Sequence, residues 1–285
     1  MKKFLFILTI LTCISCKEAR NGQKSEDTSV SKKINTEFNI LETNFKDWWT
    51  YHENNISLTT DFVAINEHSE KITKGQFLKA LITSEYIPTK LNLATKPNTY
   101  KLFKLSESAD NSIRSTIKST SKVIYKRFKL EGTNFPKFSF TDLNGKEYKN
   151  ENTLGKRLVV KCWFINCKPC IAEFPELNQL VEDYEDREDF LFIALAIDSK
   201  EDLDKFLLKK VLKYETIPNQ EGFMEKTLDV KQYPTHFVIG KSGTIEKVFS
   251  KSRELISYLK EGHLLNLKED INPPPPPMPP PPSAE

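Results

Sequence analysis

The chain has 285 residues, of which 38% are hydrophobic and 28% charged. That apolar content is too high for a disordered chain and too low for a multi-span membrane protein, and the length suits two domains. The formal charge of +3 includes Lys2 and Lys3; without them 40 Lys+Arg stand against 39 Asp+Glu, which leaves no basic excess to drive nucleic-acid binding.

In chain order, Met1-Lys2-Lys3 precedes about a dozen largely apolar residues ending at Ser15, too short a stretch to span a bilayer as a helix. We read residues 1–15 as a signal peptide. Small Ser15 followed by Cys16 resembles the lipobox of bacterial lipoproteins, although Cys13 stands where that family usually has Leu. A lipid on Cys16 would tether the chain outside the cytoplasm; the other reading is a secreted protein with one stray thiol. Residues 17–33 are charged and nearly without apolar side chains, so 16–33 reads as lipidated cysteine and solvated tether.

Residues 34–130 carry the pattern of a small α+β domain. Phe45, Trp48 and Trp49 read as the buried face of a short helix, and residues 62–65 as a strand. Thr73 and Gln76 have the spacing of a capping box ahead of a helix bearing Phe77, Leu78, Leu81 and Ile82. Residues 100–105 suit a strand. Ile113, Ile117, Ile124 and Phe128 form an apolar stripe on a helix of about twenty residues. His52 and His68 stand among polar neighbours and read as solvated surface. The domain shows no catalytic constellation.

The chemistry lies in residues 131–262. Leu158 to Ile165 is an apolar run interrupted by Lys161, the pattern of a buried central strand. Cys167-Lys168-Pro169-Cys170 follows, then a helical pattern carrying Phe174, Leu177, Leu180, Val181 and Tyr184 on one face. The strand thus delivers Cys167 to a helix N-terminus, where free amides and the nearby Lys168 favour a thiolate. Cys170, one turn on, can close a disulfide with it. A zinc site is the competing reading; it needs two further ligands, and His236 is the only plausible one downstream. Residues 189–197 suit a second buried strand and 203–212 an amphipathic helix. Tyr233-Pro234-Thr235 heads a third strand, a turn at 241–243 and a paired strand at 244–249 follow, and a helix closes at 253–259. Pro273 to Pro277 and Pro279 to Pro282 make 263–285 a Pro-rich tail that takes up polyproline II rather than helix or sheet.

From Phe135 to Gly262 the chain resembles the thioredoxin fold, in particular the membrane-tethered, extracytoplasmic TlpA/ResA-like thiol–disulfide oxidoreductases. The matching residues are Phe135 through Gly145, Trp163, Cys167-Lys168-Pro169-Cys170, Glu173 with Pro175, and Tyr233-Pro234-Thr235. The resemblance implies an α/β fold with a central mixed sheet flanked by helices. Cys167 attacks, Cys170 resolves, Pro234 is cis, and Glu173 influences cysteine ionisation. Trp163, Tyr233 and Thr235 are expected to meet substrate. It also implies protein thiol or disulfide substrates, a membrane electron donor if the direction is reductive, a place in the bacterial cell envelope, and no cofactor or metal beyond the Cys167–Cys170 pair.

Two residues depart from the family pattern. Asn166 replaces a bulky residue before the first cysteine, and Lys161 stands where thioredoxin has Asp and this subgroup commonly Asn. Either the Lys161 ammonium reaches the cysteines and favours thiolates, or its stem packs in the core while the charge snorkels outward. Cys162 alternates with it and faces the other way, a small buried residue.

Overall fold

The computed structural model describes residues 41–91 and 97–271, with side chains up to 261. The expected signal peptide, Cys16, the tether and the prolines of the tail lie outside the described residues.

Two units pack in series. In the first, α1 (Phe45–Asn55) starts at Asn44, whose side chain accepts from the amides of Lys46 and Asp47. It is followed by β1 (Val63–Ile65), β2 (Lys71–Ile72), α2 (Lys74–Ile82), β3 (Tyr86–Leu91), β4 (Thr99–Lys104) and α3 (Asn111–Phe128). The expected capping box at Thr73 and Gln76 is formed. The sheet runs β2-β1-β4-β3, with β1 and β4 parallel and the other pairs antiparallel. Its core takes Trp48, Phe77, Leu81, Ile87, Tyr100 and Ile113.

Two expectations are corrected here. Of Phe45, Trp48 and Trp49 on α1, only Trp48 is buried; Phe45 and Trp49 are exposed and stack on one another with centroids 6.1 Å apart. A helix of three turns can bury one narrow stripe, and these two rings fall outside it. His52 is not solvated surface: its ring lies against Trp48 at 5.2 Å and Trp49 at 6.3 Å, and its Nδ1 is enclosed without a partner among the described residues. Burial holds it neutral, down to about 4. His68 is exposed, as expected.

The second unit begins with the hairpin β5 (Ser139–Thr141) and β6 (Glu147–Lys149) and the single turn α4 (Asn150–Thr153). Next come β7 (Arg157–Trp163), α5 (Lys168–Ala172), α6 (Phe174–Asp183), β8 (Phe190–Ala196), α7 (Lys200–Leu207) and β9 (Glu215–Ile217). A π-turn at Phe223–Thr227, β10 (Thr235–Ile239), β11 (Ile245–Phe249) and α8 (Ser252–Ile271) complete it, so the last helix runs past the end expected at 259. The mixed sheet has the order β11-β10-β7-β8-β9, with β7, β8 and β9 parallel and β10 and β11 antiparallel. This is the thioredoxin-like α/β arrangement.

Alternation along β7 divides the core. Val159, Lys161 and Trp163 face α6 and α8, while Leu158, Val160 and Cys162 face Phe135, Phe140 and Met224. The two units are held together by polar contacts. Ser57 Oγ donates to Glu254 Oε1 at 2.7 Å, and Lys251 Nζ pairs with Glu53 at 2.6 Å. Lys247 Nζ bridges Asp61 at 2.6 Å and Glu131 at 2.9 Å.

Candidate active site

Cys167 caps α5, and Pro169 sits in its first turn, where a missing amide hydrogen costs nothing. Cys167 and Cys170 are disulfide-bonded, with Cα atoms 5.3 Å apart. The Cys170 amide also donates to Cys167 Sγ at 3.3 Å, so a backbone donor stands ready for negative charge on that sulfur. Cys167 keeps 4% exposure and Cys170 none. An incoming sulfur therefore meets Cys167 first.

The surface in front of Cys167 is an open hollow of about 400 Å³ lined by Phe164, Asn166, Cys167, Lys168, Pro169 and Tyr233. Tyr233 and Phe164 meet edge to face with centroids 5.3 Å apart. The Tyr233–Pro234 bond is cis. Lys168 is exposed beside the cysteine, and Pro234 is partly buried.

Two residues expected to meet substrate have buried side chains. Trp163 has no exposure and packs edge-on against Phe174 at 5.1 Å, because the parity of β7 turns it into the core. Thr235 is 2% exposed, and its hydroxyl is engaged internally, accepting from Arg127 Nη2 at 2.8 Å and donating to the Gln232 carbonyl at 2.7 Å. Neither side chain lines the hollow in front of Cys167.

Behind the cysteines lies a buried triad. Glu173 stands at the joint between α5 and α6, one turn after Cys170. Its Oε2 accepts from Lys161 Nζ at 2.7 Å and lies 3.1 Å from His236 Nε2. Its Oε1 accepts from the Ser252 amide at 2.9 Å, where α8 begins. Lys161 has no exposure, so the snorkelling reading is wrong: its ammonium turns inward because a carboxylate awaits it there. Lys161 and His236 are register partners on β7 and β10, which brings both to the face where Glu173 descends.

Burial pushes the Glu173 carboxyl up, but His236 and Lys161 outweigh it and hold it at about 2. Burial lowers the Lys161 ammonium, and Glu173 opposes that pull. His236 is lowered to about 4 by burial first and then by the Lys161 charge, despite its contact with Glu173. At neutral pH the triad is a carboxylate, an ammonium and a neutral imidazole. His236, the only plausible downstream ligand for a zinc site at the cysteines, is thus engaged by the Glu173 carboxylate. Cys162, on the opposite face, is fully buried and its thiol is pushed up to about 12.

Sequence reading missed the triad and Arg127. The available signal for the first was a pair of polar residues on two apolar strands, together with an acid one turn past the second cysteine. For Arg127 it was the spacing of three from Ile124, which puts it on the apolar stripe of α3.

Residues 132–248 match the family model described as the AhpC/TSA family. The thiol-disulfide oxidoreductase ResA of Bacillus thuringiensis subsp. konkukian is 32% identical over 141 residues, 48% of this chain and 81% of that protein. The thiol-disulfide oxidoreductase ResA of Geobacillus thermodenitrificans is 26% identical over 119 residues, 42% of this chain and 68% of the relative. A solved thiol-disulfide oxidoreductase from Bacteroides fragilis covers 45% of this chain and 98% of its own at 21% identity and a TM-score of 0.41. With its disulfide at the head of α5 and the strand order of its mixed sheet, the chain belongs to the ResA-like thiol–disulfide oxidoreductases of thioredoxin fold.

Proposed function

We propose that the chain is a lipid-anchored, extracytoplasmic reductase of protein disulfides in a bacterial cell envelope. The observation that carries the mechanism is the asymmetry of the pair: Cys167 opens on the hollow and Cys170 is sealed. In the reduced chain the Cys167 thiolate attacks one sulfur of a substrate disulfide, forming a mixed disulfide and releasing the first substrate thiolate. Cys170 then attacks Cys167 Sγ, releases the second substrate thiol and restores the Cys167–Cys170 bond. The substrate gains two electrons and two protons; a membrane electron donor returns the electrons to the pair. No cofactor other than the disulfide enters. Two cysteines one turn apart also argue against a peroxidase built on a single peroxidatic thiol.

The anchor rests on the lipobox-like Ser15-Cys16 sequence, and no helix among the described residues is long and apolar enough to cross a membrane. Two measurements test the reading. A reduction potential near or below about −220 mV supports a reductase, whereas one near about −120 mV makes the chain an oxidant. Cys170→Ser should trap substrates on Cys167, and Cys167→Ser should trap none. For the anchor, Cys16→Ala should release the protein from the membrane fraction.

A further inference from the structure

The first unit is not needed to build the cysteine site, yet one of its side chains reaches the segment beside it. Arg127, one residue from the end of α3, is 9% exposed and crosses from the first unit into the second. One arm of its guanidinium donates to Ser250 Oγ, just beyond β11, and the other to Thr235 Oγ1 at 2.8 Å. Because Thr235 Oγ1 accepts from Arg127, its own hydrogen is free for the Gln232 carbonyl at 2.7 Å. The chain of donors Arg127 to Thr235 to Gln232 therefore closes the four residues 232–235 on themselves, across the cis bond between Tyr233 and Pro234. Tyr233, inside that closed turn, lines the hollow with Cys167. Gln232 and Arg127 also line an interdomain cleft of about 210 Å³ with Trp49, His52 and Lys251, so the turn has the cysteine hollow on one side and the first unit on the other.

We infer that Arg127 is a positioning residue through which the first domain holds the Gln232–Thr235 turn in the shape that receives a polypeptide substrate. This rests on the proposed disulfide exchange with protein substrates. A fixed guanidinium fork suits that role, since it is always charged and its two arms bind two hydroxyls at once. As a charged donor it also polarises the Thr235 hydroxyl toward Gln232. The expected consequence is selective. A small disulfide needs only the Cys167 sulfur, whereas a peptide also needs the turn, and loss of a defined turn geometry costs rate only for the latter.

The test compares two reagents on the reduced full chain: a small aryl disulfide, and the same aryl thiol joined in a mixed disulfide to a cysteine-containing peptide. Release of the aryl thiolate reports both rates. In Arg127→Met the peptide rate is expected to fall about tenfold while the small-disulfide rate stays within about twofold. Arg127→Lys, which keeps the charge but loses the fork, should recover part of the peptide rate, and it carries the test if the Met variant does not fold. Ser57→Ala breaks a different interdomain contact, to Glu254, and should leave the ratio of the two rates unchanged. Equal loss for both reagents in Arg127→Met, or the same loss in Ser57→Ala, would overturn the inference in favour of simple domain docking. A wild-type chain that exchanges with neither reagent would instead sink the proposed function, and the inference with it.

Discussion

Lys161 Nζ donates to Glu173 Oε2 at 2.7 Å in a part of the core where the lysine has no solvent exposure. The pair joins the central strand to the joint one turn past Cys170, and His236 completes it from the neighbouring strand at 3.1 Å. A buried carboxylate needs a counter-charge, and here an ammonium supplies it while the imidazole stays neutral. The charge that the family pattern lacks at this strand position is therefore neutralised at Glu173 before it can act on the cysteines alone.

Removing that ammonium should transfer its role to His236. In Lys161→Met burial still lowers the imidazole, but the second cause, the Lys161 charge, is gone and the Glu173 contact remains, so His236 is expected to titrate above its wild-type value of about 4. Proton NMR of the imidazole resonances against pH measures this directly. Loss of one partner of a buried pair should also cost roughly 3 kcal/mol in a urea melt, less where His236 takes up a proton in compensation. A His236 resonance that still titrates near 4 would mean that the three groups are not coupled.

Acid should destabilise the chain well above the range in which its carboxylates are protonated. His52 and His236 both sit at about 4 in the fold against 6.5 for the free side chain. Between those values the unfolded chain binds protons that the fold refuses, so stability falls as pH falls from 6.5 to 4 and is unaffected by these groups above that window. For fully buried His236 the loss is about 3 kcal/mol, and His52 adds in the same direction. Glu173 contributes in a lower window, its stabilisation being complete above 4.5 and lost as pH falls toward 2. Denaturant midpoints at pH 7 and pH 4.5 check this. His236→Gln keeps a donor for Glu173 but cannot titrate, and should flatten the slope.

Which of these features could be read from sequence follows from where the information sits. β7 and β8 are buried on both faces, so their continuous apolar runs declared them. The cysteine pair was equally plain from its spacing, and the cis state of Pro234 came from the family resemblance rather than from any local pattern. β3 was hidden by Pro88, which is tolerated because β3 is an edge strand. β5, β6 and β9 have three residues each, too few to show a period. The hardest features were tertiary. Lys161 meets its carboxylate twelve residues away and His236 meets it sixty-three away, and Arg127 crosses between domains, so whether each polar group turned in or out depended on partners that local pattern does not name.

Cys162 should behave as an inert thiol. It is fully buried with its thiol at about 12, so neutral-pH alkylation of the reduced native protein should modify Cys167 first and leave Cys162 untouched until denaturant is added. Mass spectrometry of tryptic peptides after a timed iodoacetamide pulse distinguishes the sites. Labelling of Cys162 at the rate of Cys167 would show that the strand opens at the site under native conditions.

Tyr233 separates the shape of the hollow from its hydrogen bonding. Its ring meets Phe164 edge to face at 5.3 Å, while its hydroxyl is enclosed without a partner among the described residues and burial pushes it up to about 12. Tyr233→Phe removes a hydroxyl that bonds to nothing among those residues, and should leave both stability and the peptide exchange rate within about twofold of wild type. Tyr233→Ala removes the wall of the hollow opposite Cys167. Because the ring is only partly buried, the expected cost is about 2 kcal/mol, below that of truncating a fully buried aromatic. The half-saturating peptide concentration should rise while the reduction potential of the Cys167–Cys170 pair stays constant. A potential that moves with Tyr233→Ala would place the ring among the groups that set sulfur chemistry; an unmoved potential with weakened peptide binding assigns it to substrate contact.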